Sequence, residues 1–394
     1  MNLGERRLLL SWLPPSSRNK APRVRAEGKL RTTVALLGMV AGCSSSTPPS
    51  DPLADIQGRT GRLAAGAYYS CALTEDGALF CWGLGQGAGS IRKPVQVTDA
   101  RDWVAVSAGQ QTVHTCALRA TGTIWCWGEN EAGQIGDGTT TRRASPTQIG
   151  LDSDWAEVTV GNLHTCARKT NGTLFCWGRN FRGAVGEGPP TDQRTPIRVG
   201  VDADWVEVSA RWYQTCARKA NGTLWCWGAP RVDTIAEDRL APVQVGTDTD
   251  WAQVSTSSEH VCARKTNGTL FCWGSNRFAA LVTGSANSEA LPKQVGTEAD
   301  WREIANGGRT CARKRQGTLW CWGYLDFRSE LVRTPTRIGV DSDWSEVDTS
   351  GGHTCARKTN GTLFCWGDNS AGQLGNGKVR AGSTTEMVQV ELIP

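Results

Sequence analysis

Short apolar runs separated by polar turns recur along residues 61–394 at a nearly constant period. In one copy, Trp155–Val160 and His164–Lys169 read as two strands joined by a short turn. Thr170-Asn171-Gly172 follows as a three-residue turn, and Thr173–Trp177 reads as a third strand. A long loop then leads to a fourth strand at Pro196–Val199. Asn-Gly supplies the left-handed position that a three-residue bulged hairpin needs. The same order of segments returns every 44 to 50 residues, a period that marks a propeller or a stacked array.

Counting back from that turn sets Lys169 against Thr173 and Cys166 against Cys176. The two cysteines fall on a non-hydrogen-bonded pair, where alpha carbons approach to about 4.5 Å. A disulfide tolerates about that separation. Seven such pairs occur at one spacing: Cys71 with Cys81, Cys116 with Cys126, Cys166 with Cys176, Cys216 with Cys226, Cys262 with Cys272, Cys311 with Cys321, and Cys355 with Cys365. Zinc is the competing reading, but metal cysteines usually come as close pairs two to four apart. Disulfides imply an oxidising compartment.

Seven four-stranded units predict an all-β fold, a closed seven-bladed propeller of antiparallel blades, each with a cross-strand disulfide. Neighbouring blades would bury both faces of each sheet. Every second cysteine is followed by Trp-Gly, and Trp103, Trp155, Trp205, Trp251, Trp301 and Trp344 recur at the start of first strands. These thirteen tryptophans read as packing.

The formal charge of +5 is misleading. Residues 1–42 hold eight Lys/Arg and two Asp/Glu, which leaves 35 basic and 36 acidic residues beyond them. Charge therefore gives no warrant for a nucleic-acid partner. Lys29 and Arg31 precede an apolar stretch, Val34–Val40, and then Ala41-Gly42-Cys43-Ser44. A charged start, a short apolar middle and small residues mark an export signal. The ending resembles a bacterial lipobox, which implies cleavage before Cys43 and lipid on that cysteine. Residues 1–42 are then a signal peptide whose start codon could lie downstream of Met1, 43–60 a lipid-anchored Ser/Pro-rich linker, and 61–394 the propeller. Ordinary secretion with Cys43 unmodified is the alternative. Ser44 resembles the outer-membrane-sorted form, which implies a bacterial envelope location.

Trp-x-x-Val, His-Thr-Cys-Ala, Asn-Gly-Thr-Leu-Phe-Cys-Trp-Gly and Asn-x-x-Gly-Gln-Leu-Gly together resemble the regulator of chromosome condensation repeat family. The last motif stands at Asn130–Gly136 and Asn369–Gly375. The resemblance covers about residues 61–394 and implies the propeller fold. Its namesake's guanine-nucleotide exchange and nucleosome docking are not carried over, because no insertion resembles an exchange wedge. Units four, five and six depart from the glycine-rich motif.

Alternating strand directions place two kinds of connection on each end of the disk. On one end, hairpins carry Arg-Lys at 168/169, 218/219, 264/265, 313/314 and 357/358. Connections there carry Asp152 and Asp154, Asp202 and Asp204, Asp248 and Asp250, Glu298 and Asp300, and Asp341 and Asp343, so opposite charges share one rim. The other end varies. Tyr68, Tyr69, Tyr213, Tyr324, Trp212, Phe181, Phe278 and Phe327 fall there, with Arg182, Arg211, Arg277 and Arg328. Aromatics and arginine on irregular loops are what binding surfaces favour, and these twelve are the candidate partner site. Side chains folded over the disk to cover its core are the alternative.

His114, His164, His260 and His353 occupy one repeat position that Tyr69, Gln214 and Arg309 fill elsewhere, which points to structure. No nucleophile-base pattern, phosphate loop or metal-hydrolase helix is apparent. The expectation is a non-enzymatic lipoprotein, without cofactor or metal, that binds an envelope or extracellular protein. A glycan-binding propeller and an exported propeller enzyme are the alternatives.

Overall fold

A computed structural model describes residues 61–84, 89–109, 114–229, 238–282, 287–324 and 331–393. They form seven four-stranded antiparallel sheets, each built from four consecutive strands in sequence order. No α-helix occurs among the described residues; a single 3-10 turn spans Phe181–Gly183.

The third blade shows how the sequence sets the register. Its strands are Trp155–Val160, His164–Lys169, Leu174–Gly178 and Gln193–Arg198. The fourth strand begins three residues earlier than expected. It pairs through a register shift between Cys176 and Gly178 that the apolar pattern does not announce. In the hairpin turn, the Lys169 amide donates to the Thr173 carbonyl (2.9 Å) and the Gly172 amide to the Lys169 carbonyl (3.0 Å). Gly172 sits at φ +80, and a Cβ there would lie 2.3 Å from the Ala203 carbonyl oxygen of the next blade's approach. Both facts require glycine.

Cys166 and Cys176 are direct partners in that register and are joined by a disulfide. The other six blades repeat the bridge, at Cys71 with Cys81, Cys116 with Cys126, and Cys216 with Cys226. It recurs at Cys262 with Cys272, Cys311 with Cys321, and Cys355 with Cys365. The Cα–Cα separations are 4.0 to 4.1 Å throughout. Each sheet then packs on its neighbours. One apolar cluster joins Ile124, Ile135 and Ile149 of the second blade to Trp155, Val158 and Trp177 of the third. All thirteen recurrent tryptophans are buried. Trp155 meets Phe175 edge to face at 5.4 Å, the geometry that favours aromatic pairs.

The ring closes without a shared strand. Leu63–Ala65 belongs to the first blade and the strand ending at Val390 to the seventh. Leu63, Phe80 and Trp82 pack with Leu363, Leu374 and Val390 in one cluster. The Leu63 amide donates to Glu346 Oε1 (3.0 Å) and the Ala65 amide to Asp348 Oδ2 (2.8 Å). Arg357 Nη1 donates to the Leu73 carbonyl at 2.7 Å.

Each disulfide joins cysteines ten positions apart. Closing so short a loop stabilises by about 2.8 kcal/mol on the chain-entropy estimate. Cys166→Ala/Cys176→Ala should therefore lower unfolding free energy by about that amount in denaturant titration. Peptide mapping without reductant should yield only within-blade pairs; one pair between blades would refute the register.

Candidate functional site

The two ends of the disk are built differently. On the regular end, each hairpin lysine sits between two acidic residues. Lys169 Nζ lies 2.9 Å from both Asp152 and Asp154, and Lys265 lies 3.0 Å from Asp248 and Asp250. Lys219, Lys314 and Lys358 repeat the arrangement. Lys169 also stands 5.0 Å from the centre of the Trp155 ring. These cations are neutralised in place, which leaves no continuous ring of free positive charge among the described residues.

On the variable end, the long loops begin as clasps. Asn130, Asn180, Asn276 and Asn369 each use Oδ1 to accept the amide five residues on, at 2.9 to 3.1 Å. The loop carbonyls of Gln134, Ala184, Ala280 and Gln373 then accept the indole N–H of Trp177, Trp227, Trp322 and Trp82 on the following blade. The fifth blade keeps this loop without its glycines: Ala279 (φ 56) and Val282 (φ 55) hold left-handed positions that Gly133 and Gly136 hold in the second.

The histidines belong to the same clasp. Thr215 Oγ1 donates its only proton to the Ala184 carbonyl (2.9 Å). His164 Nε2, 2.9 Å from that oxygen, is therefore the donor to it and carries the ring proton. His114, His260 and His353 reach Thr165, Thr310 and Ser70 in the same way. Burial pulls His164 and His260 down to about 4 and His114 and His353 to about 3, so all four are neutral at pH 7.

Beyond these clasps, the structure brings part of the candidate set together. Phe181 is half exposed and meets Tyr213 at 5.1 Å, and Tyr213 meets Trp212 at 5.9 Å. The Arg182 guanidinium lies 5.3 Å from the Phe181 ring and 3.5 Å from Asp238. Trp212 fills a tight turn between paired Arg211 and Gln214 at φ 51, and Arg182 sits at φ 56. Large side chains in the left-handed region are uncommon and held by their surroundings. A second patch sets Phe278 5.6 Å from Tyr324, with Arg277 5.6 Å from the Phe278 ring. Tyr68 is exposed.

Two members are committed to the fold. Tyr69 is buried; its hydroxyl donates to the His114 carbonyl (2.7 Å) and accepts from the Gly109 amide (2.9 Å). It takes the histidine's structural place. Arg211 belongs to the fourth blade and bonds the seventh, at Asp348 Oδ1 (2.9 Å) and the Thr349 carbonyl (3.1 Å). It joins blades that are not neighbours, which a loop-end position in the sequence does not disclose. Phe327, Arg328 and Cys43 lie outside the described residues. No group of His, Cys, Asp and Glu able to hold a metal occurs among the described residues.

The family model described as RCC1-like domain matches residues 84–393. The chain belongs to the RCC1-like domain family. The Regulator of chromosome condensation (RCC1) repeat model matches residues 62–86. Human E3 ubiquitin-protein ligase HERC2 is 28% identical over 95 residues, 22% of this chain and only 2% of that protein. Among solved structures, human WBSCR16 is similar with a TM-score of 0.68 at 20% identity, over 82% of this chain and 94% of that one. Prp20p from Saccharomyces cerevisiae gives 0.70 at 18% identity, over 82% and 88%. This RCC1-like chain shares their fold.

Two outcomes follow from the clasp. The depressed histidine pKa values mean that the unfolded chain binds more protons below its ordinary value of about 6.5. Histidine-linked stability is full above that pH and is lost as pH falls through about 4 for His164. Glu157 and Glu346, pushed up to about 7 by burial, act oppositely: their contribution is full below 4.5 and lost as pH rises through 7. His164→Gln, which copies Gln214, should therefore flatten the fall of melting temperature between pH 6.5 and 4. Ala279→Gly should relieve left-handed strain and raise stability by up to about 1 kcal/mol in denaturant unfolding.

Proposed function

We propose that this RCC1-like propeller is an exported, lipid-anchored envelope protein, not an enzyme, that binds another protein through its variable end. The observation that carries the reading is the Phe181–Tyr213–Trp212 patch with Arg182, supported on strained turns and left over after the clasps are satisfied. Rigid aromatics with arginine are the usual anchors of protein interfaces. Prp20p was characterised for binding to Gsp1p and histones, so a related propeller serves protein recognition. The near balance of 35 basic and 36 acidic residues beyond residue 42 favours a protein over nucleic acid. Seven disulfides and the lipobox-like Val40-Ala41-Gly42-Cys43 support an exported chain anchored through Cys43.

Residues 44–394 serve as bait on envelope and culture extracts, beside Trp212→Ala/Tyr213→Ala/Tyr324→Ala with an unchanged melting temperature. A protein held by the unmodified bait and lost from the variant is the expected result. Equal capture by both refutes the aromatic patches as the site, and capture of polysaccharide instead of protein refutes the protein partner. Cys43→Ser should move the full chain from the membrane to the soluble fraction; retention on the membrane refutes the anchor.

A further inference from the structure

Arg168, Arg218, Arg264, Arg313 and Arg357 occupy one repeat position beside the rim lysines. Four of them face a glutamate on the first strand of their own blade. Arg168–Glu157 and Arg218–Glu207 stand at 3.2 Å, Arg313–Glu303 at 3.0 Å and Arg357–Glu346 at 3.6 Å. The fifth blade breaks the pattern. Arg264 pairs in register with Gln253. Gln253 Oε1 already accepts the Ile304 amide of the next blade at 3.1 Å. Arg264 Nη1 donates to the Lys265 carbonyl (3.1 Å), while its Nε is buried without a hydrogen-bond partner.

Two further arginines occur at this junction and at no equivalent place. Arg302 follows Trp301, where other blades carry Ala156, Val206, Ala252 or Ser345. Arg315 follows Lys314, where others carry Thr170, Ala220, Thr266 or Thr359. Both border the fifth blade's hairpin. The Trp301 amide donates to the Gly268 carbonyl at 3.2 Å, and Arg315 Nη2 lies 3.1 Å from where a Cβ on Gly268 would stand.

The neighbouring carboxylates are engaged elsewhere. Asp248 and Asp250 hold Lys265, Glu298 and Asp300 hold Lys314, and Glu303 holds Arg313. Glu207 holds Arg218 and accepts the Val254 amide at 3.2 Å. Burial pulls the Arg264 guanidinium down to about 10; Glu207 opposes the shift, and Arg302, Arg315 and Arg218 add to it.

We propose that Arg264, Arg302 and Arg315 form a binding site for a phosphate or sulfate group, on the regular end between the fifth and sixth blades. A lone carboxylate satisfies one guanidinium, as glutamate does in the other blades. Arg315 reaches the hairpin that carries Arg264, and Arg302 stands close enough to act on the Arg264 charge; three such guanidinium groups match a dianion with several acceptor oxygens. The bound dianion supplies the negative charge that Gln253 withholds. The site lies on the opposite end from the aromatic patches and does not depend on them.

The test uses the full chain in detergent, titrated with inorganic phosphate at constant ionic strength against chloride, and read by calorimetry and melting temperature. The wild type should show saturable binding and a rise in melting temperature. Gln253→Glu recreates the pairing of the other blades and should weaken binding at least about tenfold, as should Arg302→Gln/Arg315→Gln. No saturable effect beyond chloride, or equal binding by the wild type and both variants, overturns the site. Phosphatidylglycerol vesicles form the second arm, with Cys43→Ser in the wild-type and variant chains alike, so that no acyl chain holds the protein to the vesicle. Retention on vesicles that is lost in both variants assigns the ligand to a lipid headgroup. Phosphate binding without vesicle retention assigns it to a soluble phosphate, and retention that persists in both variants counts against the site.

Discussion

Each innermost strand of the ring has a sheet neighbour on one side only. Amides on its other side face the preceding blade, and a buried amide without an acceptor is costly. Side chains replace the missing strand. Glu157, Glu207, Gln253 and Glu346 accept the amides of Val208, Val254, Ile304 and Leu63 on the next blade. Two residues on, Thr159, Ser209, Ser255 and Asp348 accept those of Ala210, Thr256, Asn306 and Ala65. The last of each series joins the seventh blade to the first. Closure is therefore the same bond made once more, and no strand has to be shared between the chain's ends. A carboxylate buried for this purpose needs a cation, which explains the arginine at its side.

The opposite end solves the same problem with loops. In the second, third, fifth and seventh blades an asparagine closes the loop on itself, and the loop carbonyl then takes the next blade's tryptophan, as at Gln134 and Trp177. The threonine and histidine hydroxyl-to-imidazole contact completes the seam. The backs of these four loops are thus committed to holding blades together. Only residues outside the clasp, such as Phe181 and Arg182, are free to differ without opening the ring. Freedom to vary is confined to loop tips because packing has taken the rest.

Much of this was legible from spacing. The interval between cysteines and the Asn-Gly turn set the hairpin register, because a three-residue loop leaves one pairing in which both cysteines meet. First and second strands carry enough buried residues to show their limits, whereas Gln193–Arg198 lies on the outer edge and has little apolar pattern to read. Tyr69 and Arg211 were misplaced for a different reason. Position in a loop end specifies which side of the disk a residue belongs to, but not whether its side chain turns inward. The inward choice was visible for Tyr69 in its alignment with the histidines. Nothing comparable marked Arg211, whose partner Asp348 is 137 residues away. The inner-strand acceptors also recur, as Glu or Gln two residues after Trp and Ser, Thr or Asp two further on, but their role emerges only once blades are set side by side.

The fifth blade separates two roles that are fused in the others. Gln253 makes the same bond to the next blade as Glu157 or Glu207, so the seam requires an acceptor oxygen and not a charge. If arginine stood at this repeat position only to neutralise the buried carboxylate, its reason would have gone with the glutamate. Leu118 shows that the position accepts an apolar side chain where no carboxylate stands opposite, since Ala105 is its partner in the second blade. Arg264 nevertheless keeps its charge, and Arg302 and Arg315 add two more beside it. Folding alone is better served by fewer positive charges there, because like charges at close range repel and a partly buried guanidinium loses hydration. A ligand that brings its own negative charge removes both costs at once.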